Sequence, residues 1–146
     1  MTGPAKEIAW AGTELATIWA TVDLERSVAE HGFDAAALTA IGDPLLGARV
    51  VVLVLRSDEP RALAIAEPTT EGRLAATLAR HGEGPAGRYL AVAGGLAAAR
   101  AQATSVGIGL SRIEEGPFGP AMLVLTRAVT GPHLILCEGW AVPSRP

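Results

Sequence analysis

Across 146 positions the chain carries one cysteine, one lysine, six aromatic residues and no asparagine. The lone Cys137 excludes an internal disulfide and any multi-cysteine zinc site. Twelve cationic residues against fifteen acids leave a net charge of −3, so there is no basic footprint for nucleic acid. Apolar residues make up 49% of the sequence, yet no uninterrupted run approaches the roughly 20 residues of a membrane-spanning helix. Met1 to Glu7 lacks the basic start and apolar block of a signal peptide, and a cytoplasmic protein is expected. The aromatics (Trp10, Trp19, Trp140, Tyr89, Phe33 and Phe118) are few for a protein that grips flat ligands between rings. The absence of asparagine beside abundant alanine and arginine reflects codon bias, not chemistry.

What the chain does have is a repeat at a shift of about 71 residues. Val50 to Arg56 is answered by Ala121 to Arg127, and Ala62 to Glu67 by His133 to Glu138. Upstream, Ala16 to Thr21 falls against Gly87 to Val92 at the same shift. Matched residues, Arg56 with Arg127 and Glu67 with Glu138, close the pattern. A domain built from two copies of one unit tends to place its ligand where the copies meet.

Each copy reads as strand, helix, then strands. Residues 15–22 alternate and are rich in Thr, Ile and Val, which predicts a strand. Asp23 is placed to cap a helix running to His31, with Gly32 ending it. Continuous apolar character predicts a strand over 48–55, and the Ser57–Pro60 turn connects it to a partner at 62–67. A short connector helix around 73–80 leads into the second copy, with strands at 88–92, 108–113, 121–127 and 133–138 and a helix at 95–105. In the first copy the strand after the helix is poorly marked, because Phe33 to Ile41 is alanine-rich and Gly42-Asp43-Pro44 is turn chemistry. The expected fold is α+β: two tandem βαβββ modules forming a curved mixed sheet around one cleft. We expect a single domain over 1–146, with module one at about 14–68, a connector at 69–85, module two at about 86–139 and a tail at 140–146.

Four segments carry a resemblance to a known family: Val22-Asp23-Leu24-Glu25-Arg26-Ser27-Val28, Ala66-Glu67-Pro68, the connector Leu78 to Pro85, and the ending Thr130 to Glu138. In order and spacing the chain resembles the vicinal oxygen chelate superfamily, the glyoxalase and bleomycin-resistance group, nearest its methylmalonyl-CoA epimerase branch. That resemblance implies a homodimer, a small organic ligand and, in metal-dependent members, a divalent ion. The positions where those members carry metal ligands fall here on Ala16, Gly87, Leu136 and Ala64 or Ile65. None of these binds a metal, so the expectation is a protein without metal or other cofactor. His31, His81 and His133 do not share the spacing of a metal site.

Small apolar residues at those positions predict a greasy cavity suited to a small hydrophobic organic ligand. Strand alternation puts Ala16, Ile18 and Ala20 on the cleft face, with Gly87, Tyr89 and Ala91 in the second copy and Leu134, Leu136 and Glu138 in the last strand. The candidate catalytic residues are Glu138 as acid/base and Tyr89 as hydrogen-bond donor. The candidate ligand-contact residues are Ala16, Ile18, Ala64, Gly87, Leu136 and Trp19. A carboxylate in an apolar cleft holds its proton more tightly, which suits proton transfer in an isomerase, cyclase or lyase acting on an acyl or polyketide-type metabolite. The other reading open at this point is a non-catalytic protein that sequesters a hydrophobic natural product. Asp43, Arg49 and Arg112 are candidates for the cleft mouth, and Cys137 is expected to face away from the cleft.

Overall fold

The computed structural model describes residues 10–54, 62–125 and 131–138. Arg56, Arg127, the Ser57–Pro60 turn, Trp140 and the tail lie outside the described residues. Module one comprises β1 (Gly12–Ala20), α1 (Leu24–Glu30), β2 (Ile41–Asp43), β3 (Ala48–Val54) and β4 (Ala62–Pro68). The connector helix is α2 (Arg73–His81). Module two comprises β5 (Gly84–Val92), α3 (Gly95–Val106), β6 (Gly109–Leu110), β7 (Glu114–Gly116), β8 (Gly119–Leu125) and β9 (His133–Cys137).

The strands join into one mixed sheet ordered β2-β3-β4-β1-β5-β9-β8-β6, with β7 also paired to β8. The 71-residue shift is written into its ladders. Ala16 pairs with Ala62 and Ile18 with Ala64 in the parallel β1–β4 pair, while Gly87 pairs with His133 and Tyr89 with Ile135 in the parallel β5–β9 pair. Val50 opposite Ala66 is matched in the same way by Ala121 opposite Cys137. The modules meet along the antiparallel β1–β5 seam. They differ at the inner hairpin: Asp43 and Ala48 flank the turn in module one, whereas Gly116 and Gly119 leave only two residues between them in module two.

Alternation along each strand divides the core between two faces. On the outer face, Leu24 and Val28 of α1 pack on Val51, Leu53 and Ile65. Leu96 and Ala99 of α3 pack on Leu90, Val92, Met122 and Leu136. The inner face forms one buried cluster containing Ala16, Ile18, Ala20, Ala64, Ala66, Tyr89, Ile135 and Cys137, closed over by Leu46 and by Leu74 of α2. The sheet curls far enough that β2 comes against β7 across this interior.

Local chemistry sets the helix ends. Asp23 accepts from Arg26 N at 3.1 Å, as an N-cap should. Glu83 ties the connector to module one, its Oε2 accepting from Thr21 Oγ1 at 2.9 Å, Val22 N at 2.8 Å and an Arg26 guanidinium nitrogen at 2.6 Å. The second strand of module one, weakly marked in the sequence, is the three-residue β2, and its last residue is the Asp43 that reads as a turn. The 108–113 strand divides into β6 and β7 around residues 111–113.

Gly87 is fixed by the parallel pairing. At φ +151° it comes so close to β9 that a Cβ would lie 2.0 Å from the His133 carbonyl oxygen. We predict that Gly87→Ala costs at least about 3 kcal/mol, while Gly42→Ala, with open space around it, stays within about 0.5 kcal/mol. Thermal and urea unfolding followed by circular dichroism check the pair, and equal costs at the two sites would contradict the register.

Candidate functional site

Two rows of side-chain positions cross the inner face over the four central strands. One runs Ala62, Ala16, Tyr89, Ile135, and the next runs Ala64, Ile18, Gly87, His133. Tyr89 is the long side chain in these rows. Its ring crosses the interior from β5 at the sheet centre to β2 at the sheet edge, where the hydroxyl donates to Asp43 Oδ2. Asp43 is 2% exposed and Tyr89 1%. The other carboxylate oxygen of Asp43 accepts from Leu45 N at 2.9 Å, and its backbone carbonyl accepts from Leu46 N and Gly47 N. The strand end and its turn therefore hold the carboxyl in place from behind. Phe118, on the two-residue turn between β7 and β8, stacks on Tyr89 with ring centroids 5.0 Å apart.

Burial governs the acid–base character of this pair. Desolvation pushes the Asp43 carboxyl above the usual carboxylate range, against the lowering by its hydrogen bonds from Tyr89 and the turn amides. Desolvation, and then the Asp43 charge, push the Tyr89 phenol well above its ordinary value. Cys137 also lines this interior, and burial raises its thiol to about 12, so it is a neutral packing group.

The structure brings Ala16, Ile18, Ala64, Gly87 and Tyr89 to the inner face, and it corrects the register read for β9. Ile135 and Cys137 point inward with the core, whereas Leu136 packs outward beneath α3. Glu138 follows Leu136 to the outer side, where it is exposed and its Oε1 accepts from Leu96 N at 3.1 Å. Its counterpart Glu67 does the same in module one, accepting from Leu24 N at 3.1 Å. The repeated glutamate thus closes the first turn of each module's own helix, where the exposed amides and the helix dipole favour an anion. Glu67 also takes Arg49 at 2.8 Å. Trp19 likewise lies on the outer face, partly buried among the α1 cluster and edge-on to His31 at 5.6 Å. Of the mouth candidates, Asp43 is inside, Arg49 is engaged by Glu25 and Glu67, and Arg112 by Glu114.

The inner residues do not fit a divalent ion. Ala16, Ala64, Gly87 and Ile135 present only carbon, and the carboxylate nearest to them is already committed to Tyr89. Among the described residues no three His, Cys, Asp or Glu side chains gather as a metal site. His133 reaches Thr77 Oγ1 of α2 at 2.7 Å, whereas His31 bonds Ser27 O at the end of α1. On the outer face an open groove of about 810 Å³ runs along α3, lined by Leu96, Ala97, Arg100, Ala101, Ile113 and Glu138 among others.

Neither a scan of protein-family models nor a search of curated proteins finds a match. Solved structures do match. Methylmalonyl-CoA epimerase from Mycobacterium tuberculosis aligns with a TM-score of 0.69 over 92% of this chain and 93% of its own, at 16% identity. A variant of the Streptomyces coelicolor methylmalonyl-CoA epimerase, in complex with 2-nitronate-propionyl-CoA, gives 0.68 over 91% and 100%, at 19% identity. A hypothetical protein from Bacillus halodurans gives 0.64 over 92% and 99%, at 16% identity. At these identities the likeness is one of fold, and the fold is that of the vicinal oxygen chelate superfamily.

Tyr89 is the sole tyrosine of the chain, so its ionisation is directly readable at 295 nm. Its raised folded pKa makes a contribution to stability that is complete below about 10, the unfolded value, and is lost as pH climbs through the folded one. Native protein is therefore expected to stay silent at a pH where the unfolded chain already absorbs, and Asp43→Asn to bring the native titration down. Asp43, also raised, contributes below about 3.9 and loses that contribution as pH rises through its folded value, a slope that Asp43→Asn removes. Glu138→Ala is expected to cost about 1 kcal/mol through the lost cap. A native tyrosine titrating at its ordinary pH would contradict the buried pair.

Proposed function

We propose that this protein is a metal-independent member of the vicinal oxygen chelate fold that acts on a small hydrophobic or acyl-type metabolite by proton transfer, as an isomerase, cyclase or lyase. The observation that carries this reading is the exchange of chemistry on the inner face. Ala16, Ala64, Gly87 and Ile135 offer no donor to an ion, while Asp43 and Tyr89 form a buried acid–donor pair over the same rows. Asp43, with its proton affinity raised, takes the proton from a carbon beside a carbonyl. Tyr89, whose ionisation is pushed out of reach, keeps its hydrogen and donates it to the carbonyl oxygen as negative charge develops there. The hydrogen bond that now joins the two residues is the one the substrate oxygen would take over. Entry to so buried a pair requires Phe118 to leave the Tyr89 ring, and its place on a two-residue turn suits that movement.

The acyl class is supported by what the fold neighbours hold: an epimerase bound to 2-nitronate-propionyl-CoA and another bound to methylmalonyl-CoA. A polyketide-type acyl chain belongs to the same class. The reading keeps the protein cytoplasmic and homodimeric, with apolar residues left exposed on both modules, Ile41 and Val54 on one and Ile113 and Leu125 on the other. No helix among the described residues is long and apolar enough to cross a membrane. The second reading, sequestration of a hydrophobic natural product without turnover, is favoured by the largely apolar groove along α3.

The test is hydrogen–deuterium exchange at the α-carbon of a panel of 2-substituted acyl thioesters, run with and without chelator, beside elemental analysis of the purified protein. Exchange is expected to survive chelation, to fall by about a hundredfold or more in Asp43→Asn, and to fall less in Tyr89→Phe. A stoichiometric divalent ion needed for exchange would overturn the reading, as would full activity in Asp43→Asn. Stoichiometric binding without exchange would select the second reading.

A further inference from the structure

The Asp43–Tyr89 pair lies where the described residues bring no cation. Burial sets the Asp43 proton affinity first, then the bonds from Tyr89 and the turn amides, and no arginine is among the groups acting on it. The arginines among the described residues are engaged elsewhere. Arg49 and Arg88 stand on the outer face, paired across their ladders with Glu67 and Leu134. Arg26 of α1 is held by Glu30 and Glu83, and Arg100 of α3 donates to the Ser111 carbonyl. Arg73, at the start of α2, acts on His133, and Arg80 is exposed near the other end of that helix. Arg112 precedes β7, at the same edge as Asp43. Its side chain is 87% exposed and its Nε already donates to Glu114 at 2.7 Å, so water and a carboxylate both screen it.

The side chains that do share this end of the interior are neutral or acidic. Gly116 of β7 faces the Asp43 carboxyl, where a Cβ would lie 3.6 Å from Cγ. Glu114, two residues earlier, pairs with Ala121 of the inner cluster, so its side chain starts on that same face about 7 Å along the strand. Cys137 is a neutral thiol, and Phe118 is carbon. The far ends of the flanking strands are remote. Asp43 pairs with Ala48 and Gly116 with Gly119, whereas β3 and β8 run on to Val54 and Leu125, roughly 20 Å away. Arg56, Arg61 and Arg127 follow those ends in the chain and lie outside the described residues.

We propose that this chamber takes acyl groups that are uncharged around the reacting carbon and rejects those that carry a carboxylate there. An ionised carboxylate brought beside Asp43 sheds its water, meets no cation and lies against like charge. A carboxamide of the same shape sheds less, and its N–H groups can donate to Asp43. The inference rests on the proton-transfer reading of this site for its acyl ligand. Selection is read by binding and proton transfer by exchange, so either idea can fail alone.

The experiment compares two N-acetylcysteamine thioesters of one shape: the malonyl thioester, ionised at neutral pH, and its carboxamide. Each is titrated into the full-length protein at constant ionic strength, with the ring of Tyr89, the sole tyrosine, isotopically labelled and followed by NMR. The carboxamide is expected to give a saturable Tyr89 shift, and the acid to bind at least about tenfold more weakly. Asp43→Asn is expected to bring the two within about threefold, and Glu114→Gln to narrow the gap about twofold. Arg80→Gln, which removes a charge far from the chamber, is expected to leave the ratio as it is. Acid binding as tight as the carboxamide's would overturn the proposal, as would no saturable Tyr89 shift with the carboxamide below about 10 mM. A ratio that Arg80→Gln moves as far as Glu114→Gln does would do the same, by assigning rejection to net charge. Carboxamide that binds selectively without exchange of its α-hydrogens leaves the selection standing and sinks the proton-transfer reading. Exchange of both thioesters with equal kcat/KM sinks the selection alone.

Discussion

One bond crosses the interior of this curled sheet, from the Tyr89 hydroxyl at the centre to the Asp43 carboxyl at the edge. The coiling of the sheet brings β2 over against β7, with β5 across the interior from it. The Tyr89 ring spans that distance, and its hydroxyl can be buried only because a carboxylate waits for it. The carboxylate in turn tolerates burial because the Leu45 amide and the phenol donate to it, while the Leu46 and Gly47 amides hold its backbone carbonyl. Either partner alone would be an unpaired polar group in a core of Ala, Val, Leu and Ile. The pair therefore stands or falls together, and the interior chamber stands with it.

Around that bond the duplicated architecture is closely kept. The same 71-residue spacing sets the parallel ladders of both modules, and Glu67 and Glu138 close the first turns of α1 and α3 in the same way. A glutamate conserved between copies by this capping role cannot at the same time serve as the acid of a central chamber, since it sits on the opposite face of its strand. The departures from the symmetry include the proposed acid–donor pair. Asp43 and Tyr89 have no counterparts: β7 offers Gly116 against the Asp43 carboxyl, where a Cβ would already touch Cγ at 3.6 Å, and the place matching Tyr89 in β1 is Ile18. One module supplies the carboxyl, the other the phenol and its stacking Phe118.

In the proposed function the interior draws its chemistry from side chains. Where carbon-only side chains replace donors, a divalent cation finds nothing to repay its dehydration. In that proposal a buried acid with raised proton affinity serves as base beside a phenol that keeps its hydrogen and serves as donor, both tuned chiefly by desolvation. His133 and Thr77 form a second buried polar contact, between β9 and α2.

The sequence by itself determined the two-module plan, its 71-residue spacing, the helix starts at Asp23 and near Gly95, and the inward placement of Ala16, Ile18, Gly87 and Tyr89. Each of these rests on local periodicity, capping chemistry or self-similarity, which need no partner to be read. The facing of β9 was not legible, because Leu134, Ile135, Leu136 and Cys137 are all apolar and a one-residue slip moves every side chain to the other face. That slip is what carried Leu136 and Glu138 into the expected cleft and Cys137 out of it. Only the tertiary structure decided that Asp43, hidden in turn-like Gly42-Asp43-Pro44, lies opposite Tyr89, and that Thr77 of α2 meets the buried His133. Those pairings join residues 46 and 56 positions apart, brought together by a curl of the sheet and by the seating of α2, neither of which leaves a periodic trace in the chain.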